Sequence, residues 1–466
     1  MPVSTELVIA RSALIEWYRR NRQRSRALFD LIDPDVYYTR PIALRNPIVF
    51  YEGHLPAFSV ISFLQRGLGH KGVDPRYEAL FARGIDPESE QQAVPRSGAS
   101  TSWPTRQQVL DYGAAADAAV LQALEQASFD LEGTTHPAMS RGEAIFTALE
   151  HEAMHQETLL YMWRRLPYAH KRKPAGVQYE LDAALPPNRR VTVPAGHASL
   201  GARRDRISFG WDNEFGEITV PVEEFDIDAQ CVTNADYLRF IGDGGYERRE
   251  LWDDASWEWR EREQVSYPAF WIPENDVARS GAARAKGPWA WRGMFEDIPL
   301  PLAWPVYVSQ AEACAYARWL GRSLPTEAEF HRAAFGTPSG DDSPNPWGAA
   351  VPAASHGNFD FTSWEPVPAG ARPAGVSAWG VHDLVGNGWE WTESEFGPFP
   401  GFAPMPSYPE YSAEFFDGLH VVLKGASPAT ARELIRPSFR NWFRTNYPYV
   451  YAKFRTVSRA SRRAVQ

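Results

Sequence analysis

The sequence predicts an α+β protein in two parts, a four-helix bundle over residues 1–185 and a loop-rich α+β domain over residues 190–466. Three observations point there. The chain has 466 residues, too many for one compact core. Apolar residues recur at helical spacing through the first part, whereas the second alternates short β-like pieces with stretches rich in Gly, Pro and Trp. Between them runs Leu181-Asp-Ala-Ala-Leu-Pro-Pro-Asn-Arg-Arg190, a polar, proline-bearing string of linker character.

The first helix is expected over residues 4–32, with Leu7, Leu14, Ile15 and Tyr18 at helical spacing and Asp33-Pro34 as its stop. A second starts near Pro47 and runs through His54 towards Leu68, and a third covers residues 105–127 after Trp103-Pro104. The clearest begins at Ser140-Arg-Gly-Glu143, which has the S-x-x-E form of a capping box, and stops at Pro167. Four long helices with connections of varied length describe a bundle. In the second part, strands are expected at residues 191–193 and 218–222 and short helices at 234–241 and 309–320. Residues 340–373 read as an ordered loop, and loops of that length in a compact domain usually serve a site. No tandem repeats interrupt this plan.

Composition narrows the function. A net charge of −10 argues against a nucleic-acid partner, since phosphate binding needs a basic surface. The arginine-bearing stretch 455–463 reads as a solvated tail. Two cysteines, Cys231 and Cys314, cannot staple a chain this long, so a reducing compartment is expected. No signal-like start and no apolar run of 18 residues is present, so a cytoplasmic protein with no membrane partner is expected. The 18 Trp, 19 Tyr and 25 Phe crowd into the second half, where irregular segments must bury rings to offset their ordering entropy.

The chemistry-bearing pattern lies on the clearest helix. His151 and His155, at i and i+4, present both imidazoles on one face, as two neighbouring positions on a metal require. Taken alone, such a pair is as readily structural as ligating. The string His151-Glu152-Ala-Met154-His155 also matches the zinc-protease form H-E-x-x-H. Its context does not follow: Thr158 and Tyr161 stand where a metzincin carries Gly and a third His. Glu180, the one candidate for a thermolysin-like third ligand, lies beyond Pro167 and Pro174. The alternative third ligand is His54, which a neighbouring helix of the bundle could present, although a lone histidine there reads first as a core or cap residue. Glu157 reads as a supporting acid.

Three segments together resemble the ergothioneine and ovothiol sulfoxide synthase family. They are Asn46-Pro47…Gly53-His54, then His151-x-x-x-His155-x-Glu157-Thr158, and a long C-terminal series. The series includes Val193-Pro-Ala-Gly196, Val232-Thr-Asn234, Arg322-Ser-Leu-Pro-Thr-Glu327, Gly380-Val-His-Asp-Leu-Val-Gly-Asn387-Gly-Trp-Glu-Trp391 and Arg436-Pro-Ser-Phe-Arg440-Asn441. The resemblance implies a DinB-like helical domain and a formylglycine-generating-enzyme-like, C-type-lectin-related domain. It implies Fe(II) held by His54, His151 and His155, O2 as co-substrate, and hercynine as the acceptor that gains sulfur or selenium at the carbon between its ring nitrogens. A quaternary ammonium cannot donate hydrogen bonds and is best held by aromatic faces. The loop after Trp391 offers Phe396, Phe399, Phe402, Tyr408 and Tyr411. The resemblance also implies a proton-donating tyrosine from this loop, with Tyr408 and Tyr411 the two candidates. Phe396, Phe402, Asn441, Trp442 and Met154 are the candidate substrate contacts.

The departures from that family concern the donor. Gly425-Ala-Ser-Pro428 replaces a Gly-Gly-Ser-Trp, and Ala429-Thr-Ala431 offers no carboxylate for an amino-acid thiol. Met154 takes a place that is polar in some relatives, and Asn446–Phe454 departs from the usual ending. No clear pair of arginines presents itself for a thiol donor's carboxylates, although Arg96 and Arg106 are candidates. The branch most resembled is the selenoneine synthase, whose donor is a selenosugar; γ-glutamylcysteine or cysteine is the alternative. Two rival readings are formylglycine generation, for which Cys231 and Cys314 are poorly placed, and a ligand-binding module without catalysis, which would need no three-histidine set.

Overall fold

The computed structural model describes residues 10–82, 103–127, 136–273 and 289–459. The expected helical turns before residue 10, Arg96 and the end of the arginine-bearing tail lie outside them. The described chain is α+β and divides into two compact units. The first holds residues up to Ala175 together with two excursions from later in the chain, Arg204–Trp211 and Ala403–Tyr411. The second holds Gly176–Arg203, Asp212–Phe402 and the residues from Ser412 onward.

The first unit is built on α1 (Arg11–Phe29), α2 (Ile48–Ser59), α3 (Pro75–Leu80), α4 (Arg106–Gln126) and α5 (Glu143–Arg165). The long helices form the bundle, with α1 and α2 each packed on both α4 and α5. Every residue of α2 is buried, as its IVFYEGHLPAFS sequence requires, because a helix apolar all round has no solvent face to offer. A π-helix, Val60–Gly67, continues α2. α4 opens with a capping box between Thr105 and Gln108.

The expected capping box at Ser140 does not form. Ser140 is extended (ψ 124°), Arg141 and Gly142 are left-handed (φ 56° and 70°), and α5 starts only at Glu143. The S-x-x-E spacing was right, but two left-handed residues between its ends turn the serine away from the helix. The Glu143 carboxylate is used elsewhere, as described below.

The second unit contains α6 (Asn234–Gly242), α7 (Asp254–Arg262), α8 (Gln310–Trp319) and α9 (Glu327–Ala334). Three of them start at capping boxes, Thr233–Asp236, Ser309–Glu312 and Thr326–Glu329; α6 and α8 answer the two expected short helices, whereas α7 and α9 were not expected. Its strands are β1 (Arg190–Val193), β2 (Gly196–Leu200), β3 (Ile218–Val222), β4 (Phe225–Asp228), β5 (Trp271–Pro273), β6 (Trp289–Arg292), β7 (Asp297–Pro299), β8 (Gly388–Glu395), β9 (His420–Ala426), β10 (Asn441–Arg444), β11 (Ala452–Lys453) and β12 (Val457–Arg459). They make sheets of order β1-β4-β12, β10-β9-β8-β11, β2-β3 and β5-β6-β7. Among the described pairs of strands, β11 on β8 alone is parallel. Residues 340–372 carry no strand or helix, and a short 3-10 helix, Pro373–Gly375, follows them.

The rings of this unit are buried as expected. Trp271, Trp291, Trp304 and Trp391 are fully enclosed, and each indole N–H finds an acceptor: the Asn234 side chain, the Glu365 carboxylate, and the Glu180 and Val308 carbonyls. The solvated-tail reading of residues 455–463 is corrected at its start. Arg455 is 0% exposed and ion-paired with Glu390, and Arg459 pairs with Glu329 and Glu393.

A candidate metal centre in the helical unit

His54 from α2 and His151 and His155 from α5 converge. One ring nitrogen from each can be chosen so that all lie within 4.8 Å of one another, and among the described residues no other histidine, cysteine or carboxylate group forms such a cluster. The Nε2 atoms of His151 and His155 are 3.2 Å apart. Two imidazole nitrogens on one metal stand about 3.0 Å apart at a right angle and about 3.4 Å at a tetrahedral angle, for bonds near ~2.1 Å. The observed spacing suits either.

The tautomer of His54 is fixed. Its Nδ1 is 2.8 Å from the Phe81 carbonyl, which can only accept, so Nδ1 donates and Nε2 keeps its lone pair. The preceding glycine makes this possible. A Cβ on Gly53 would stand 2.4 Å from the Phe81 ring, so only glycine lets the Phe81 segment come this close. Burial pushes the His54 imidazole down to about 4 and holds both His151 and His155 well below the ordinary histidine range. Three neutral imidazoles with free lone pairs, and no protein cation to neutralise, are what a divalent transition metal takes as ligands. The donor set therefore fits Fe(II) or Zn(II) with coordination positions left for other molecules.

Aromatic rings wall this cluster. Phe58 stacks on His151 (centroids 3.4 Å, 9° between planes) and Phe50 on His54 (4.9 Å, 19°). The sequence reading missed both, although Phe50, His54 and Phe58 share one face of α2 by their i, i+4, i+8 spacing. Tyr408 packs edge-on against Phe58 at 4.9 Å and its ring is 6.0 Å from that of His151. The Tyr411 hydroxyl is 3.5 Å from the Met154 sulfur, and its ring stacks on Trp211 at 3.9 Å. The excursion carrying these tyrosines is clamped to the bundle. Glu143 accepts from the Ser407 backbone N–H (3.1 Å) and hydroxyl (2.9 Å), Thr147 meets the same hydroxyl at 2.8 Å, and Arg66 forks onto Glu410 (3.1 and 3.0 Å).

Six of the ten sequence-selected residues thus come together in one unit: His54, His151, His155, Met154, Tyr408 and Tyr411. The other four belong to the second unit. There Phe396 stacks on Trp442 at 4.2 Å with the Arg440 guanidinium 5.0 Å over its ring, and Phe402 packs against Phe416 at 5.0 Å. Asn441 accepts from the Trp442 backbone N–H at 2.9 Å. Arg106, a candidate for a donor carboxylate, is instead forked onto Glu52 at 2.9–3.2 Å and reaches Asp30.

Glu152 settles how the H-E-x-x-H string is used. Its carboxylate accepts from Arg22 (2.9 Å) and from the Ser25 hydroxyl (2.6 Å) on α1, and Arg22 continues to Asp117 at 2.8 Å. The acid that a zinc protease would use on its water is committed to a buried ion network between helices.

Two family models match the chain: the sulfatase-modifying factor enzyme 1-like domain over residues 178–460 and the DinB superfamily over residues 18–159. Their union in one polypeptide defines a class, a DinB-like helical unit joined to a formylglycine-generating-enzyme-like unit. A hercynine oxygenase of Mycolicibacterium thermoresistibile is 32% identical over 412 residues, covering 86% of this chain and 84% of that protein. One from Mycolicibacterium smegmatis is 35% identical over 320 residues, covering 66% and 70%. The ergothioneine biosynthesis protein 1 of Neurospora crassa is 27% identical and covers 90% of this chain, which spans 54% of it. The chain belongs to the ergothioneine sulfoxide synthase family.

Proposed function

We propose that this protein is an O2-dependent mononuclear non-heme iron(II) enzyme that forms a carbon–chalcogen bond at the imidazole carbon of hercynine, with a selenosugar as donor. The observation that carries the reading is the buried set of three neutral histidines, His54, His151 and His155, in a chain of the ergothioneine sulfoxide synthase family. Bound iron supplies O2 activation at positions the three imidazoles leave open. The chain's own residues do the rest. The Phe81 carbonyl orients His54, and Phe58 and Phe50 fix the ligand rings and keep water out. Tyr408 and Tyr411 offer hydroxyls for proton transfer at the reacting atoms, and the Tyr408 ring offers a π face for a trimethylammonium group.

With a donor RXH (X = Se in a 1-selenosugar selenol, S in a thiol), one O2 balances the reaction: the acceptor C–H and the X–H are lost, one oxygen enters the selenoxide or sulfoxide and the other leaves as water. The selenosugar is preferred because the features that would hold an amino-acid thiol are missing or engaged. Ala429-Thr430-Ala431 carries no acid, and Arg106 is committed to Glu52. A thiol donor is the second reading, favoured by the names of the relatives, hercynine oxygenase and ergothioneine biosynthesis protein. Formylglycine generation is disfavoured because burial pushes both the Cys231 and Cys314 thiols up to about 12.

The test is anaerobic loading with Fe(II) and hercynine, followed by O2 and either a 1-selenosugar, γ-glutamylcysteine or cysteine, with O2 uptake and product mass recorded. A hercynine–selenium adduct formed only with the selenosugar is the expected result. A sulfoxide from a thiol would keep the iron chemistry and reverse the donor assignment. No uptake with any donor would refute the proposed reaction.

A further inference from the structure

Both excursions that enter the helical unit end on rings that stack on each other, Trp211 from one and Tyr411 from the other. Trp211 is 1% exposed. Its indole N–H donates to the Glu150 carboxylate at 2.8 Å, and Glu150 sits on α5 immediately before His151. One face of the indole carries Tyr411 at 3.9 Å and 27°, while Phe209 meets the indole edge-on at 5.5 Å. On its far side Tyr411 directs its hydroxyl to the sulfur of Met154, one turn of α5 from Glu150. Helix α5 therefore holds Tyr411 twice, directly through Met154 and indirectly through Glu150 and the indole. A thioether is a weak acceptor, so the contact with Met154 restrains the hydroxyl only loosely. The charge-assisted bond from the indole to Glu150 is the stronger restraint. The clamp at Ser407 and Glu410 fixes the backbone of the excursion, while the stacked indole and the Tyr408 ring, 5.7 Å away, bear on the Tyr411 ring itself.

We propose that Glu150 and Trp211 are positioning residues for the reaction: Glu150 fixes the plane of the Trp211 indole, and that plane fixes the ring and hydroxyl of Tyr411 beside the metal-bearing helix. The claim rests on the reading above that the tyrosines of this excursion serve the reaction. It concerns residues that hold a reacting group in place, so misplacement lowers turnover more than it lowers acceptor binding or iron content.

Two measurements on the full chain test it. The first uses iron-free protein labelled with 3-fluorotyrosine, in which the 19F resonance of position 411 is identified by its loss in Tyr411→Phe. Because the indole shifts that resonance, Glu150→Ala and Trp211→Phe should both move it, and Glu150→Gln, whose amide oxygen still accepts the indole N–H, should leave it in place. A resonance unmoved in Glu150→Ala overturns the proposal, whatever reaction the protein catalyses. The second uses the iron-loaded enzyme with the donor that supports turnover. Glu150→Ala and Trp211→Phe should lower kcat about tenfold at unchanged iron content and with the hercynine KM within about twofold, while Glu150→Gln stays near wild type. Adding Trp211→Phe to Tyr411→Phe should cost no more than Tyr411→Phe alone, because both break one unit. Independent, multiplying losses would overturn the proposal. Should Glu150→Ala fail to fold, the kcat of Trp211→Phe tests the positioning of Tyr411 by the indole, and a kcat at the wild-type level overturns the proposal. If the 19F result holds and no donor is turned over, the proposed reaction fails and the positioning network stands.

Discussion

Each unit buries a cluster of ionisable side chains, and the two clusters are partnered in opposite ways. In the second, Glu390 is 0% exposed and fully answered: Lys453 donates to it at 2.8 Å, Arg455 forks onto it, and Lys453 also donates to the Asp383 and Gly388 carbonyls. In the first, three histidines meet with one ring nitrogen each within 4.8 Å of the others, and among the described residues the Nδ1 atoms of His151 and His155 have no hydrogen-bond partner. A buried charge that is completely partnered organises a fold. A buried cluster of like bases that leaves polar atoms unpartnered is a poor structural device and a good metal site. The contrast singles out the three histidines of the helical unit as the candidate metal site without reference to any relative.

The largest effect that would sharpen this contrast concerns the ligands on α5. His151→Ala and His155→Ala should each abolish stoichiometric Fe(II) binding and lower turnover on the order of 10³-fold, the loss of several kcal/mol of stabilisation by the metal. The folded apoprotein should survive, because no ion pair is broken; full iron in either variant would remove that residue from the centre. Breaking the partnered charge should do the reverse. Glu390→Ala leaves Lys453 and Arg455 buried and unpaired, and should cost about 3–5 kcal/mol in denaturant unfolding. A loss under about 1 kcal/mol would show that water reaches these cations and that the network is not structural.

A smaller effect tests how His54 is aimed. Gly53→Ala places a methyl group 2.4 Å from the Phe81 ring, forcing that segment away and with it the carbonyl that fixes the His54 tautomer. Iron affinity should fall about 10–100-fold with the three ligands intact. An unchanged affinity would mean that the Phe81 carbonyl does not orient the ligand. The smallest concerns the cysteines. With both thiols pushed up to about 12, little thiolate exists at pH 8, so alkylation of the native protein should be slow and should accelerate on unfolding. Rapid modification at pH 8 would reopen the cysteine-based reading of the second unit.

Local rules made part of this legible in the sequence. The i, i+4 spacing of His151 and His155 gave one face of a helix, and the short helices expected at 234–241 and 309–320 formed. The capping-box rule failed at Ser140, because whether S-x-x-E closes depends on the two residues between, and Arg141 and Gly142 are left-handed here. His54 could be nominated only by resemblance, since nothing in its neighbourhood announces a partner about a hundred residues away. Phe50 and Phe58 were readable from their spacing to His54 and were overlooked. Trp211 was not readable. Its role depends on the chain returning to the bundle twice, and no local pattern encodes that return. Arg455 was misread for the same reason, its partner Glu390 lying 65 positions earlier.

His54 is the ligand that distinguishes a three-histidine centre from a two-histidine string on one helix, so it bears the central claim most directly. An anaerobic Fe(II) titration of the wild-type protein and His54→Ala, followed by desalting and iron quantification, reads it out. The account predicts one iron retained per wild-type chain and none in His54→Ala. One iron per chain retained by His54→Ala would contradict it and return the metal to the His151–His155 pair alone.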